Sequence, residues 1–580
     1  MTSIKRGSSF RTNKKSKTLI FAIILIVGVI ITLSAVWAFR NANNTSNPNY
    51  KNPATAAELI AASKRQSVEN YQKQFCGIGT RPNSNSYITE YILPSNCEMP
   101  LGVAVDIDSN NNSSNTAADS GKVWYVSTKD GTLGSFDIKQ NKFAQEQLIP
   151  IWKSRGNPTD SSQVWDVKVD GHGNVWFTDE KQNAIWKFNP FSKQFEMYNV
   201  PAKSDAFGTT YPVSLDFDAN ENIYFVGIRS PTLWYGETNK MKNGTSDGIS
   251  KIPIPLGEFK GIDPNLVSVG SLAVDVRNNV VWISLLAFNT KGEISRYNID
   301  NKTFDTFDMP RDISSPVGIA VDYSGDVWAT DHATSLFFKL DHNTGNITKF
   351  STSGASPRIF GGNSTPETAY TLPYWIKTNN NAAEGSLWFN EHAGNKIARF
   401  IPSNMTLIEY WIPTQDRQWG LCPPPQATAK DCGIANALQL SAGGKNNQEI
   451  WFTEWSENKI GRLNGEESLP LLVSIPNVQS LGTTIKKGQP TEIKVDLKAF
   501  SNNITNINML SAGPFTQNGV LGNSTGVFSE QSFAIKPGES KQISFIFTPA
   551  ADLKSGQYML MVGADTGPVS ILRAVKINVI

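Results

Sequence analysis

An all-β fold is predicted by three observations. Short apolar runs of period two recur along the chain, with Gly, Asn and Asp clustered between them. Residues 164–201, VWDVKVDGHGNVWFTDEKQNAIWKFNPFSKQFEMYNVP, read as four such strands. The tryptophan that opens the second strand returns as Trp124, Trp176, Trp282, Trp328, Trp388 and Trp451, with Tyr224 in the third place. One four-stranded sheet cannot bury both faces, so copies must stack. Seven copies, spaced roughly 45–60 residues apart, predict a seven-bladed β-propeller over residues 88–465. The period-two alternation excludes a chain of helical repeats.

The elements follow in order. Residues 1–17 are a basic tail without acids, and 18–39 are uncharged and mostly apolar. Those 22 residues suffice to cross a hydrocarbon core of about 30 Å at about 1.5 Å per residue. The expectation is a transmembrane helix with its N-terminus cytoplasmic and the rest of the chain outside the cell. A cleaved signal peptide ending near Val36–Ala38 is the competing reading, and both export the propeller. Residues 40–87 are a polar tether and a short helix, 54–75, suited to packing on the propeller rim.

The seven basic residues of the first forty exceed the chain's net charge of +2, so the remainder is mildly acidic. With no basic cluster outside the tail, nucleic acid is excluded as a partner. Export agrees with sequons at Asn44, Asn112, Asn243, Asn301, Asn346, Asn363, Asn404, Asn503 and Asn523, which predict a glycoprotein. It also agrees with four cysteines, Cys76, Cys97, Cys422 and Cys432, read as two disulfides. Pairings 76–97 and 422–432 close the shortest loops.

The repeat P-x-G-I-x-x-D-x-x-G-x-V-W-F-T-E-x-x-x-N-K-I-G-R, followed by I-T-E-Y-x-L-P, appears here as PVGIAVDYSGDVWATD (316–331), IWFTEWSENKIGRL (450–463) and ITEYILP (88–94). It resembles the repeat of the virginiamycin B lyase (streptogramin lyase) family. In such a repeat ITEYILP is an outermost strand, yet here it precedes the first inner strand. It is expected to complete the last blade, whose other strands come from about 435–464, closing the ring. Beyond it the tryptophan repeat stops. Residues 471–475, 491–499, 541–549, 557–564 and 570–580 alternate as strands, predicting an immunoglobulin-like β-sandwich over 466–580 without the Cys…Trp…Cys hallmark.

The resemblance implies where chemistry sits. Two positions per blade are expected at one mouth of the ring: the residue after Pro in the inner strand, and the acid ending the second strand. The family places His at the first position in its last two blades as the base of a ring-opening elimination, and Glu from the last blade beside Mg²⁺. Here the first positions read Leu101, Trp165, Val213, Gly270, Val317, Tyr374 and Asn436, with no histidine. The second read Ser127, Asp179, Gly227, Leu285, Asp331, Glu391 and Glu454, so the family's Glu position survives at Glu454.

Two functional readings stay open. In the first, an acidic, aromatic mouth binds a small-molecule, peptide or glycan ligand through Tyr374, Trp375, Trp165, Asn436 and Trp455. In the second, a carbon–oxygen lyase uses Glu454 with His392 or His332 as a displaced base. Asp179, Asp331, Glu391 and Glu454 would hold Mg²⁺ or Ca²⁺. A purely structural surface role needs only the fold. No nucleotide loop, nucleophile elbow or H-E-x-x-H motif occurs.

Overall fold

A computed structural model describes residues 81–580 apart from 97, 108–120, 130, 151–162, 181, 202–209, 355–369, 380–384, 417–431, 444–447, 477–481, 502, 514, 517–518 and 521–523. The expected span at 18–39, the basic tail and the helix at 54–75 lie outside the described residues. Among the described residues no helix is long and apolar enough to cross a membrane. Cys432 is disulfide-bonded, while Cys76, Cys97 and Cys422 lie outside the described residues.

The described structure is all-β, with short 3₁₀ turns. One four-strand antiparallel plan recurs: inner strand, second, third, outer. Two examples are Pro316–Val321, Val327–Asp331, Leu336–Leu340, Ile347–Ser351, and Val167–Val169, Val175–Asp179, Ala184–Asn189, Gln194–Asn199. Inner strands of successive sheets lie against one another, and Pro100–Ile107 lies against both Val167–Val169 and Ala437–Gly443. This is a β-propeller.

The sequence pattern acquires physical causes. Asp170 and Asp322 end their inner strands and close the following turns. Asp170 Oδ1 accepts from the backbone amides of His172 (3.0 Å) and Asn174 (2.8 Å), and its Oδ2 from Trp176 Nε1 (2.8 Å). Asp322 does the same for Ser324, Asp326 and Trp328. One carboxylate thus fixes the turn and satisfies an indole whose ring is otherwise buried. The glycine of P-x-G-I reflects crowding at the axis. A Cβ on Gly318 would stand 2.1 Å from the Tyr374 carbonyl oxygen of the neighbouring inner strand.

Adjacent sheets are stitched by an asparagine in the turn between the second and third strands. Asn183, Asn395 and Asn458 all have φ near +50° (51°, 54° and 55°), a region that asparagine tolerates better than most residues. Asn395 Nδ2 donates to the carbonyls of Ile412 (3.0 Å) and Thr414 (3.1 Å), where its own outer strand ends. Its Oδ1 accepts from the amide of Ala435 (2.7 Å), where the next inner strand begins. Asn458 likewise joins Ser95 to Glu98, and Asn183 joins Val200 to Thr210.

The strand Ile88–Ile92 pairs antiparallel with Lys459–Asn464, from Ile88↔Leu463 to Ile92↔Lys459. It completes the sheet of Ala437–Gly443 and Glu449–Glu454, as its position in the repeat predicted.

The C-terminal region, expected to be a β-sandwich, is built of strands as well. Strands appear at Leu471–Ser474, Thr491–Ala499, Ser540–Thr548, Gly556–Asp565 and Val569–Val579, with further ones such as Thr505–Ala512 and Thr525–Phe528. They form two sheets that share a core through Val473, Val495, Phe545, Ile507, Val562 and Ile577. One of these sheets is continuous with the propeller. Val569–Val579 pairs with the outer strand Thr406–Trp411, from Thr406↔Arg573 to Tyr410↔Val569. That outer strand is buried throughout, as no free sheet edge would be.

Asn395→Ala removes three buried hydrogen bonds and forces alanine into a positive-φ turn. It is expected to lower unfolding free energy by about 2–4 kcal/mol, read from urea denaturation of 81–580.

Candidate functional site

The turns that follow the second strands define one end of the ring, here the top. Strand register decides which residues meet there. Pro316, Pro373 and Ala437 pair with Asp331, Glu391 and Glu454. The residue following the proline position is therefore Tyr374 in one sheet and Leu438, not Asn436, in the next. Without proline in CGIANALQL the sequence alignment slips by two. Asn436 instead matches Leu372, and both have positive φ (57° and 50°).

Asn436 nevertheless reaches the centre. Its Oδ1 accepts a short hydrogen bond from His392 Nε2. The His392 ring stacks on His332, centroids 5.5 Å apart and planes 11° from parallel. Tyr374 packs against His332 at 4.6 Å and Trp165 against Tyr374 at 6.0 Å. The adjacent sheets supply these groups because each histidine immediately follows the acid that ends a second strand. Thus His332, His392, Tyr374, Trp165 and Asn436 converge.

All five are buried. Burial, then the neighbouring His392, pushes the His332 imidazolium down to about 3, and burial pushes His392 down to about 4. Both rings are neutral near pH 7. With Nε2 of His392 donating to Asn436, its Nδ1 carries the lone pair. Nδ1 of His392, Nδ1 of His332 and Nε1 of Trp165 are buried with no protein partner.

The acids do not form the expected ring. Asp179 accepts from Trp186 Nε1 (3.0 Å) and the Gln182 amide (3.1 Å). Asp331 accepts from the Ser315 amide (2.6 Å) and Thr334 Oγ1 (2.7 Å). Glu391 and Glu454 turn away from the axis, into their own sheets. Lys396 Nζ lies 3.6 Å from Glu391 and 3.1 Å from Glu409, and also donates to Ser353 Oγ (2.6 Å). Lys459 Nζ lies 4.0 Å from Glu454 and 3.1 Å from Glu90, and donates to Thr414 Oγ1 (2.6 Å). All of these charges are buried.

Burial first, and then the second carboxylate, raises Glu391 and Glu454 well above the usual range. One ammonium thus serves two carboxyls. Among the described residues no three acids, histidines or cysteines are grouped to hold a metal. Turn donors hold Asp179 and Asp331, whereas the carboxyl oxygens of Glu391 and Glu454 have no hydrogen-bond partner and stand 3.6 and 4.0 Å from their lysines.

Trp375 and Trp455 are buried too. Trp375 packs beside Tyr374 at 6.1 Å, and Trp455 Nε1 donates to Thr128 Oγ1 (3.3 Å). The glutamate–lysine clusters were missed from sequence, although their signal is present: E-H-A-G-N-K with I-E-Y, and E-W-S-E-N-K with T-E-Y.

Comparison with protein-family models gives no match, and neither does comparison with curated proteins. Among solved structures the chain is similar to virginiamycin B lyase from Staphylococcus aureus, at 20% identity over 65% of this chain and 98% of that one, TM-score 0.45. A streptogramin B lyase structure matches at 20% identity over 66% and 99%, TM-score 0.45. The WD40 repeats of RRP9 match at 9% identity over 66% and 99%, TM-score 0.43.

Folded-state imidazoles pushed down from 6.5 mean that the unfolded chain binds more protons below about pH 6.5. Stability then rises with pH up to about 6.5 and is lost as pH falls through 6.5 toward 4. Each histidine is expected to cost roughly 2 kcal/mol between about pH 6.5 and pH 5. Urea midpoints of the His332→Gln, His392→Gln double variant should lose most of that slope.

Proposed function

We propose that this is a membrane-held protein whose seven-bladed propeller lies outside the cell, followed by an immunoglobulin-like sandwich. The propeller binds a small uncharged ligand at the centre of its top face. The observation that carries the binding reading is the set of unpartnered buried polar atoms on His332, His392 and Trp165. Unpaired groups of this kind cost about 1–3 kcal/mol each, a cost that a hydrogen-bonding ligand would offset. Neutral imidazoles can donate or accept, and the Tyr374 and Trp165 rings offer a flat apolar wall. This favours an uncharged ring-bearing ligand (a cyclic peptide, a glycan or a heterocycle) over a cation.

The lyase reading keeps one supporting observation. The lone pair on His392 Nδ1 can accept a proton, although burial makes it a weaker base than an ordinary imidazole. Against it, Glu454 faces the Lys459 ammonium at 4.0 Å.

Calorimetry of the full chain with a cyclic depsipeptide, an ester-free cyclic peptide and a neutral oligosaccharide separates these readings. Binding of any of the three that is lost in both His332→Ala and His392→Ala supports the ligand site. Ring opening of the depsipeptide that is lost with His392→Ala favours the lyase. Failure to bind all three, or binding unchanged in both variants, overturns the site.

The anchor rests on the apolar run 18–39 behind a basic tail. The full chain is expected in the membrane pellet after alkaline carbonate, with the propeller open to protease added outside intact cells. Release into the carbonate supernatant would overturn the anchor.

A further inference from the structure

The other end of the axis carries a second group of charges that the top-face reading does not use. A cavity of about 210 Å³ opens there, lined by Lys168, Lys377, Asp216, Asp275 and Arg277 among others. Lys168 and Lys377 come from inner strands on different sides of the ring, Val167–Val169 and Pro373–Thr378. Both side chains are half-buried and line that cavity. That geometry brings two ammonium groups into one confined space.

The two lysines are not equivalent. Lys168 Nζ is 3.0 Å from Asp216 Oδ1. Asp166 accepts instead from Ser214 Oγ (3.2 Å) and the Leu215 amide (3.1 Å). Arg277 and Asp275 pair with each other at 3.4 Å. Among the described residues no carboxylate lies within ion-pair distance of Lys377, whose Nζ sits 5.8 Å from the Trp375 ring centre. The flanking inner strands, Pro316–Val321 and Ala437–Gly443, bring no titratable side chain. The paired strand Leu387–Glu391 brings only Glu391, at its far end.

We propose that Lys377 is a nucleophilic amine that captures small aldehydes or ketones as an imine, with the Lys168 ammonium as the acid. The amine lone pair forms the C–N bond while the carbonyl π pair moves to oxygen. That oxygen takes a proton from Lys168. One nitrogen proton then returns to Lys168 and the other passes to the hydroxyl, which leaves as water as the C–O bond breaks. Amine and carbonyl become imine and one water, with no oxidant or reductant consumed.

The electrostatics agree with this assignment. Burial, then the Lys168 ammonium, pushes Lys377 down to about 8, against the weaker pull of Asp166 and Asp216. Burial also works against the charge on Lys168, but Asp216 and Asp166 hold it above the usual range. An amine beside a second cation, with a larger free fraction near neutral pH than an ordinary lysine, is the arrangement that carbonyl capture needs.

The test is reductive trapping of the full chain with propionaldehyde and cyanoborohydride, mapped by peptide mass spectrometry. Lys377 is expected to label on the order of 10-fold faster than exposed lysines at neutral pH, with a rate midpoint near pH 8. Lys168→Met should slow that labelling, because Asp166 and Asp216 then hold Lys377 charged. The proposal is overturned if Lys377 in the unmodified sequence labels no faster than exposed lysines, or has a midpoint near that of ordinary lysine. A folded Lys168→Met that labels at the original rate overturns the role of Lys168.

Discussion

The architecture depends on an amide side chain held in a left-handed turn. Each of Asn183, Asn395 and Asn458 binds the end of its own outer strand and the start of the next sheet with the same group. Carbonyls and amides that a crossover would leave bare are thereby paired. The stitch also sets where the next inner strand begins, and so which of its residues arrives at the axis. Asn436, one residue after the amide-bearing segment fixed by Asn395, meets His392 for that reason. Site geometry follows from seam geometry.

Charge is handled by a related economy. Each lysine of the two clusters lies between two carboxyls and a hydroxyl, deep enough that solvent screens none of them. Buried ion pairs seldom add much net stability, because desolvation offsets attraction. Their effect is on arrangement: the lysine at the start of a third strand must face the glutamate of the outer strand, which locks the order of strands within the sheet. The same clusters withdraw Glu391 and Glu454 from the axis, so acids that look like a ring in the sequence behave as internal struts.

Much of the propeller was legible because its signals are local. Period-two runs, the Asp–Gly turns and the recurring tryptophan each report on a few adjacent residues, and Asp170 with Trp176 shows why they travel together. The closing strand could be read because ITEYILP carries the outer-strand pattern ahead of any inner strand. The orientation of the acids could not be read, since spacing gives a residue's place along a strand and not which groups meet it across two seams. The Asn436 register failed for want of a proline to mark it. Continuity between Thr406–Trp411 and Val569–Val579 was hidden because a shared sheet leaves only one trace in sequence, an outer strand, TLIEYW, with apolar residues on both faces.

Completion by Ile88–Ile92 has a consequence for how the molecule is made. During synthesis that strand emerges before the three strands it joins, and its partners Lys459–Asn464 appear some hundreds of residues later. The ring thus closes through a pairing of high contact order, whereas pairings between successive strands of a sheet are local. A nascent chain must keep an apolar strand out of trouble until the last sheet arrives. The charged Glu90, which finds Lys459 only on closure, gives the waiting strand a soluble face and the finished ring a latch.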